Sequence, residues 1–291
     1  VTAPEEARGS LVLVGTPIGN LGDLSPRAAE ALRSADVVYC EDTRHSRKLL
    51  THAGITGSSL RSLHGHNEGE RIAEVLGEVR SGYTVAVVSD AGMPGVSDPG
   101  GRTVSAAVAE GLDVTVVPGP SAVLAALVVS GLDGSRFCFE GFLPRSGRAR
   151  KVRLASIADE NRTTVLFEAP GRVAATCRDL ALATGGERQI AIARELTKLH
   201  EEIWRGSLDE AVAWAEEAPL RGEVVLVVSG ADEASPSVDD EVLTAALTER
   251  LEQGERARGA IDDVAAAFGV PRRRVYALAL AARSDQSPEP E

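Results

Sequence analysis

Short runs rich in β-branched residues restrict this chain more than any other feature. LVLVG (11–15), DVVYCE (36–41), TVAVVSD (84–90), DVTVVPG (113–119) and GEVVLVVSG (222–230) are apolar along most of their length and are bounded by turn-forming residues. Runs of this kind, without polar alternation, predict strands buried on both faces, the pattern of parallel sheets covered by helices. The intervening segments supply the helices. SPRAAEALRSA (25–35) has Ser25 as N-cap and Pro26 in the first turn. A helix is predicted over 46–52. Glu68 to Arg80 places Ile72, Val75, Leu76 and Val79 on one face, and Thr103 to Glu110 is stopped by Gly111. With a weak strand at 59–64, this βαβα rhythm gives an α/β fold.

A second α/β region starts near Pro120. It holds a small-residue helix over 121–130, strands over 136–142, 163–169, 188–195, 201–206 and 222–230, and helices near 147–158, 171–183 and 207–216. Short connections between the last three strands predict antiparallel pairing. The expected organisation is an N-terminal α/β domain (11–119), a second α/β domain (120–230), an acidic linker (231–240) and a small helical unit (241–283). In that unit IDDVAAAFGVPRRRVYALAL resembles a helix-turn-helix, with a plain helical hairpin as the alternative. The tail SDQSPEPE is expected to be disordered.

Hydrophobic residues make up 43% of the chain but aromatics only 3%, so Val, Leu, Ala and Ile must fill the core. A net charge of −12 argues against a general nucleic-acid binder, and any contact with phosphates must come from local patches. Two are visible: Arg145, Arg148, Arg150, Lys151 and Arg153, and then Arg272, Arg273 and Arg274. Cys40, Cys138 and Cys177 lie far apart, which argues against a disulfide framework or a structural zinc site. No apolar run approaches the ~20 residues of a membrane span, and VTAPEEARGS lacks a secretory leader pattern. These features predict a cytoplasmic protein with no membrane partner.

Three strands of the first half run into unusual loops: TPIGNLGD after the first, AGMPGVSDPGG after the strand at 84–90, and PGPSA after the strand at 113–117. In open α/β sheets ligands bind beyond the carboxyl ends of strands. Glycine lets the backbone approach a ligand, and proline fixes loop shape. The spacing Gly15–Gly19–Gly22 is not the dinucleotide fingerprint, and no Walker A lysine is present. EDTR (41–44), HGHNE (64–68), SDPG (97–100) and RELTKLHEE (194–202) add polar groups beside these loops. His64 and His66 lack a carboxylate at zinc-site spacing, so no metal is expected.

The strings LVGTPIGNLGD, EDTRHSRKLL, HGHNE, VSDAGMPGVSDPG, PGPSA, GFLPRSGRARK, LFEAPGR and RELTKLHEE, in this order, resemble the tetrapyrrole-methylase-like class of S-adenosylmethionine enzymes. EDTR and HGHNE, taken with the other strings, are similar to the branch that 2′-O-methylates a cytidine of the decoding centre in small-subunit ribosomal RNA. The resemblance spans Leu11 to Gly230. It implies two α/β domains with the cofactor in the cleft between them, a homodimer, and S-adenosylmethionine contacts from Gly15, Pro17, Ile18, Gly92, Met93, Val96, Ser121, Ala122 and Phe167. Met93 stands where that class leads one to expect threonine, and Gly171 where it leads one to expect histidine. For activating a ribose hydroxyl the candidates are Asp42, Glu68, Asp98, Glu195 and Lys198. Arg44, His66, Asn67 and the 145–153 basic stretch are candidates for holding RNA. Two alternatives stay open: a corrin or uroporphyrin methylase on the same fold, and a non-catalytic regulator built on the helix-turn-helix.

Overall fold

The computed structural model describes residues 9–217, 219–231, 239–255, 257–270, 274–276 and 278–279. The chain divides into two compact units, Val1–Gly230 and Ala231–Glu291. The first contains two five-stranded sheets.

The first sheet is built from β1 (Ser10–Val14), β2 (Val37–Cys40), β3 (Leu60–Ser62), β4 (Thr84–Val88) and β5 (Asp113–Val117) in the order β3-β2-β4-β1-β5. Every pairing is parallel. The reason lies in the connections: helices α1 (Pro26–Ser34), α2 (Thr43–His52), α3 (Glu68–Arg80) and α4 (Gly101–Ala109) carry the chain back before each new strand. Ser25 caps α1 by accepting from the Ala28 N–H at 3.0 Å, as its position before Pro26 predicts. Alternate residues of the strands face opposite layers. Val12, Val14, Val38 and Val88 pack with Leu32 of α1 and Leu49 and Leu50 of α2. Leu11, Leu13, Tyr39 and Val87 pack with Val75, Leu76 and Val79 of α3 and Ala107 of α4.

The second sheet has the order β6-β7-β10-β8-β9, from β6 (Phe137–Phe142), β7 (Thr163–Glu168), β8 (Gln189–Arg194), β9 (Glu202–Ser207) and β10 (Val224–Val228). β6 and β7 are parallel and the β7–β10, β10–β8 and β8–β9 pairs are antiparallel, in agreement with the short connections read from the sequence. One face carries α6 (Gly147–Asp159), α7 (Val173–Thr184) and α8 (Leu208–Glu217), with Ile190, Ile192, Leu226 and Val228 beneath them. The other face is covered by α5 (Ala122–Ser130) and by Ile18, which reaches across from the loop after β1 to pack with Val123, Ala191 and Val225. Both lobes therefore share an apolar contact through that loop.

Element types agree with the sequence reading. The notable shift is α2, which starts at Thr43 rather than Ser46 because Asp42 accepts from the Arg44 N–H and caps it. The second unit holds α9 (Asp240–Glu252), α10 (Ala257–Phe268) and helical residues at 274–276 and 278–279, packed around Leu243, Leu247, Ile261, Val264 and Val275. Gly269 makes the turn with φ of 61°. Residues 232–238 of the expected linker, Arg272, Arg273 and the tail lie outside the described residues. Among the described residues no helix is long and apolar enough to cross a membrane.

In the order β4-β1-β5 the three glycine- and proline-rich loops leave neighbouring strands. Gly15 and Gly119 sit so close that a Cβ on Gly119 would lie 2.8 Å from the Gly15 carbonyl carbon. Gly119→Ala is expected to lower unfolding free energy by roughly 1–3 kcal/mol through forced separation of the two loops. The urea midpoint measures it, and an unchanged midpoint would show that the loops yield freely.

Candidate functional site

The loop after β1 is fastened to its neighbours mainly by backbone. Gly15 N–H donates to the Val117 carbonyl at 2.9 Å, and Thr16 and Gly92 exchange N–H···O bonds at 2.9 and 3.2 Å. The Thr16 hydroxyl donates to the Ser89 carbonyl at 3.2 Å. Met93 lays its sulfur where a Gly15 Cβ would be, 2.7 Å away. These contacts draw Gly15, Thr16, Gly92 and Met93 into one composite rim, with Pro17 buried next to Thr16. Ser121 uses its hydroxyl to cap α5 on the Leu124 N–H. Ile18 spends its side chain in the second lobe's core and leaves only its backbone to the rim. Phe167, at the end of β7, meets Phe139 edge-on at 4.9 Å and lies 5.5 Å from Phe142. Val96 is exposed. A side chain at Gly171 would meet open space, so the missing histidine there leaves no packing defect.

Two contacts, one from strand β6 and one from the loop after β8, bring the second lobe to the loops of the first. A Cβ on Gly19 would fall 2.4 Å from Lys198 Cγ, and one on Gly141 would fall 3.2 Å from Ser97 Oγ. Ser97, Glu195 and Thr197 all have positive φ without being glycine, at 63°, 52° and 66°. Such backbone costs of order 1–3 kcal/mol per residue and persists only where surrounding contacts fix it. Here it sits in the loop after β4, which touches Gly141 of β6, and in the loop after β8, which touches Gly19.

The five candidate catalytic side chains fare differently. Asp98 keeps a carboxyl in a crowded acidic setting: burial, then the charges of Glu41, Asp90 and Glu223, raise it to about 6 against one lowering bond from Ser89. Glu41 is itself raised, by burial first and Asp90 next. Lys198 donates to Glu195 Oε1 at 2.8 Å and to Glu223 Oε2 at 2.9 Å. Burial opposes its charge, but these two carboxylates more than offset that and hold the ammonium above its usual value. Glu195 is lowered by the Lys198 bond and by the Glu223 N–H. Asp42 is held at about 2 by its hydrogen bonds from the Arg44 guanidinium and N–H, which makes it a weak proton acceptor. Glu68 is buried and accepts from the Gly100 N–H (3.0 Å), the Thr103 N–H (3.1 Å) and the Thr103 hydroxyl (3.2 Å). Its carboxylate, at the start of α3, ties down the end of the SDPG loop and the first turn of α4, and these three donors occupy one of its oxygens.

Of the basic stretch, Arg145, Arg148 and Lys151 are exposed. Arg150 is a correction. It is buried, and its guanidinium donates to Asp179, the Pro144 carbonyl and Thr176, so it joins α6 to α7 rather than facing solvent. Helical periodicity hides this, because Arg150 falls in line with Leu154 and Ile157 on the inward face. Arg153 pairs with Glu140. Arg44 and His66 are exposed, whereas Asn67 uses its amide oxygen on the His64 N–H at 2.7 Å to shape the turn before α3. Arg274 pairs with Asp240 inside the second unit. Sequence reading missed Glu41, Asp90 and Glu223, whose role depends on loops brought together from distant parts of the chain.

A profile of the tetrapyrrole (corrin/porphyrin) methylases matches residues 10–212. The chain belongs to the tetrapyrrole methylase family. Relatives include proteins named ribosomal RNA small subunit methyltransferase I from Synechocystis sp., 45% identical over 95% of this chain and 99% of the relative, and from Mycobacterium tuberculosis, 48% identical over 95% and 96%. The protein of the same name from Thermotoga maritima is 47% identical over 76% of this chain and 99% of its own length. Among solved structures, a cobalt precorrin-4 methyltransferase superposes with a TM-score of 0.60 at 18% identity, covering 79% of this chain and 98% of that one. A uroporphyrin-III C-methyltransferase from Thermus thermophilus, in complex with S-adenosylhomocysteine, gives 0.54 at 20% identity, covering 76% and 96%. These two solved structures share the fold of the two-sheet unit.

Asp98 should titrate near 6 by carboxyl-resolved NMR, and Glu41→Gln should move its midpoint down by removing the neighbouring charge. The folded-state value lies above the unfolded one, so Asp98's contribution to stability is present below about pH 4 and is lost as pH rises through about 6. A midpoint at the ordinary aspartate value would remove the crowding argument.

Proposed function

We propose that this protein transfers a methyl group from S-adenosylmethionine to the ribose 2′-oxygen of a cytidine in the decoding centre of small-subunit ribosomal RNA. The observation that carries this reading is 45–48% identity, over 95% of the chain, to proteins named for small-subunit ribosomal RNA methylation. The geometry is compatible with it. Gly15, Gly92 and Met93, with Pro17 next to them in the loop, form a rim whose glycines leave room for a cofactor to approach closely, with Val96, Ala122 and Phe167 as apolar neighbours and Ile18 and Ser121 as supports. When bound, S-adenosylmethionine supplies an electrophilic methyl on a sulfonium. The protein's residues do the rest. They orient the ribose for in-line attack, receive its proton and offset the charge that develops on oxygen.

Asp98 is the proton acceptor in this scheme. Its raised pKa makes it a stronger base than Asp42 or Glu195, and at neutral pH it is ionised. Lys198, positioned by Glu195 and Glu223, faces the developing alkoxide. Glu68 holds the Asp98 loop. Arg44, His66, Arg145, Arg148 and Lys151 contact RNA. The acceptor is a large folded particle, which suits a chain whose positive charge is confined to patches. We place the enzyme, as a homodimer, in the cytoplasm, where that particle is found.

Incubation with S-adenosylmethionine and small ribosomal subunits, followed by nuclease digestion and mass spectrometry, should give 2′-O-methylcytidine. Methylation of uroporphyrinogen or a precorrin instead would transfer the reading to the tetrapyrrole branch. Asp98→Asn should lower kcat by ~10²–10⁴ with cofactor binding retained. The wild-type rate should climb with pH through about 6 and then level. Glu68→Gln, by loosening the loop that carries Asp98, should lower both kcat and thermal stability, a combination not expected of Asp98→Asn.

A further inference from the structure

Between Asp42 and Glu68 the chain runs for 25 residues without an acidic side chain, its longest such stretch, although it holds 43 Asp and Glu in 291 residues. Four of its five histidines, His45, His52, His64 and His66, fall in the same stretch, with Arg44, Arg47, Lys48 and Arg61. The fold gives this composition a direction. α2 buries Ser46, Leu49 and Leu50 against the sheet and turns Arg44, His45, Arg47, Lys48 and His52 to solvent. Thr43, Arg44, Arg47, Lys48, Thr51 and His52 line a shallow groove along that face. From Arg44 to His52 it runs ~12 Å at about 1.5 Å per residue.

Its position matters as much as its charge. α2 begins where β2 ends, and the Asp42 N–H donates to Asp90 Oδ1 at 3.1 Å, which fastens the helix start to the loop after β4. Asp90 is also one of the charges felt by Asp98. The basic face therefore starts beside the candidate catalytic carboxylate and leads away from it. Arg61 is consumed by Glu74, Glu78 and Tyr39, and Arg44 pairs with Asp42 while staying exposed. By contrast, neither the Arg47 nor the Lys48 side chain has a hydrogen bond or ion pair among the described residues. Two cations without protein partners on adjacent residues, in a chain of net charge −12, leave this face open to an external anion.

We propose that the exposed face of α2 is a phosphate-backbone track for the RNA substrate, with Arg47 and Lys48 as its principal contacts, holding the strand that runs into the site at Asp98. This rests on the RNA reading above and adds residues that motif resemblance does not assign to RNA. Contacts to phosphate fix register and carry no base information, so the track sets affinity and placement while the site at Asp98 meets the ribose.

The test is binding of the full-length protein to unmethylated small ribosomal subunits across a salt series. For Arg47→Ala/Lys48→Ala the slope of log K against log salt should fall by about 2, one for each phosphate that is no longer neutralised. KM for subunits should rise on the order of tenfold, since phosphate contacts dominate affinity, with kcat and S-adenosylmethionine binding unchanged. Arg80→Ala/Arg178→Ala, which removes the same two charges from ion pairs elsewhere, serves as the control. It should leave the slope near wild type. An unchanged slope in the α2 variant, or an equal drop in the control, overturns the track. Wild-type protein that neither binds nor methylates the subunits overturns the functional reading itself.

Discussion

The close approach of Gly15 and Gly119 is the contact on which the rest of the architecture depends. Side chains at either position would drive the loops after β1 and β5 apart. With both absent, the first loop lies flat enough to exchange hydrogen bonds with Gly92 and to send Ile18 into the second lobe. The rim of the site and the junction of the two sheets are thus one construction. Its polar groups are satisfied by backbone, and its apolar content is spent on joining the lobes.

Around that rim the electrostatics are divided by position. Glu41, Asp90 and Asp98 crowd together beside the first sheet, and crowding plus burial raises Asp98 toward neutrality. Across the junction Lys198 is held between Glu195 and Glu223 and stays cationic. In the reaction we propose, the raised carboxylate receives the hydroxyl proton and the fixed ammonium offsets the charge on oxygen. Placing them on different lobes links their spacing to the loop contacts of Gly19 and Gly141. The positive-φ residues Ser97, Glu195 and Thr197 fall in those same loops, which fits backbone strain held at a site by packing.

Candidate residues were legible by type more than by role. Asp42, Glu68 and Asp98 are all carboxylates in or beside glycine-rich or polar strings, and residue type alone does not separate them. The structure does: Asp42 caps a helix, Glu68 binds three donors, and Asp98 is crowded by acids from other loops. The basic stretch at 145–153 behaves in the same way. Arg148 and Arg150 are two residues apart, yet one is solvated and the other buried against Asp179 and Thr176, because a helix turns about 100° per residue.

What the sequence determined by itself is local. Strand runs, the Ser25 cap, the span of α3 and the three special loops all follow from spacing and backbone preference among neighbours in the chain. What only the tertiary structure decided is non-local: the order β3-β2-β4-β1-β5 that sets three loops side by side, the reach of Ile18 into the other lobe, and which carboxylate is raised by burial and neighbouring acids. The physical reason is that hydrogen-bond satisfaction and the local electrostatic field depend on groups tens to more than a hundred residues away. Asp98 feels Glu41 and Glu223, and no pattern in the chain places the three together.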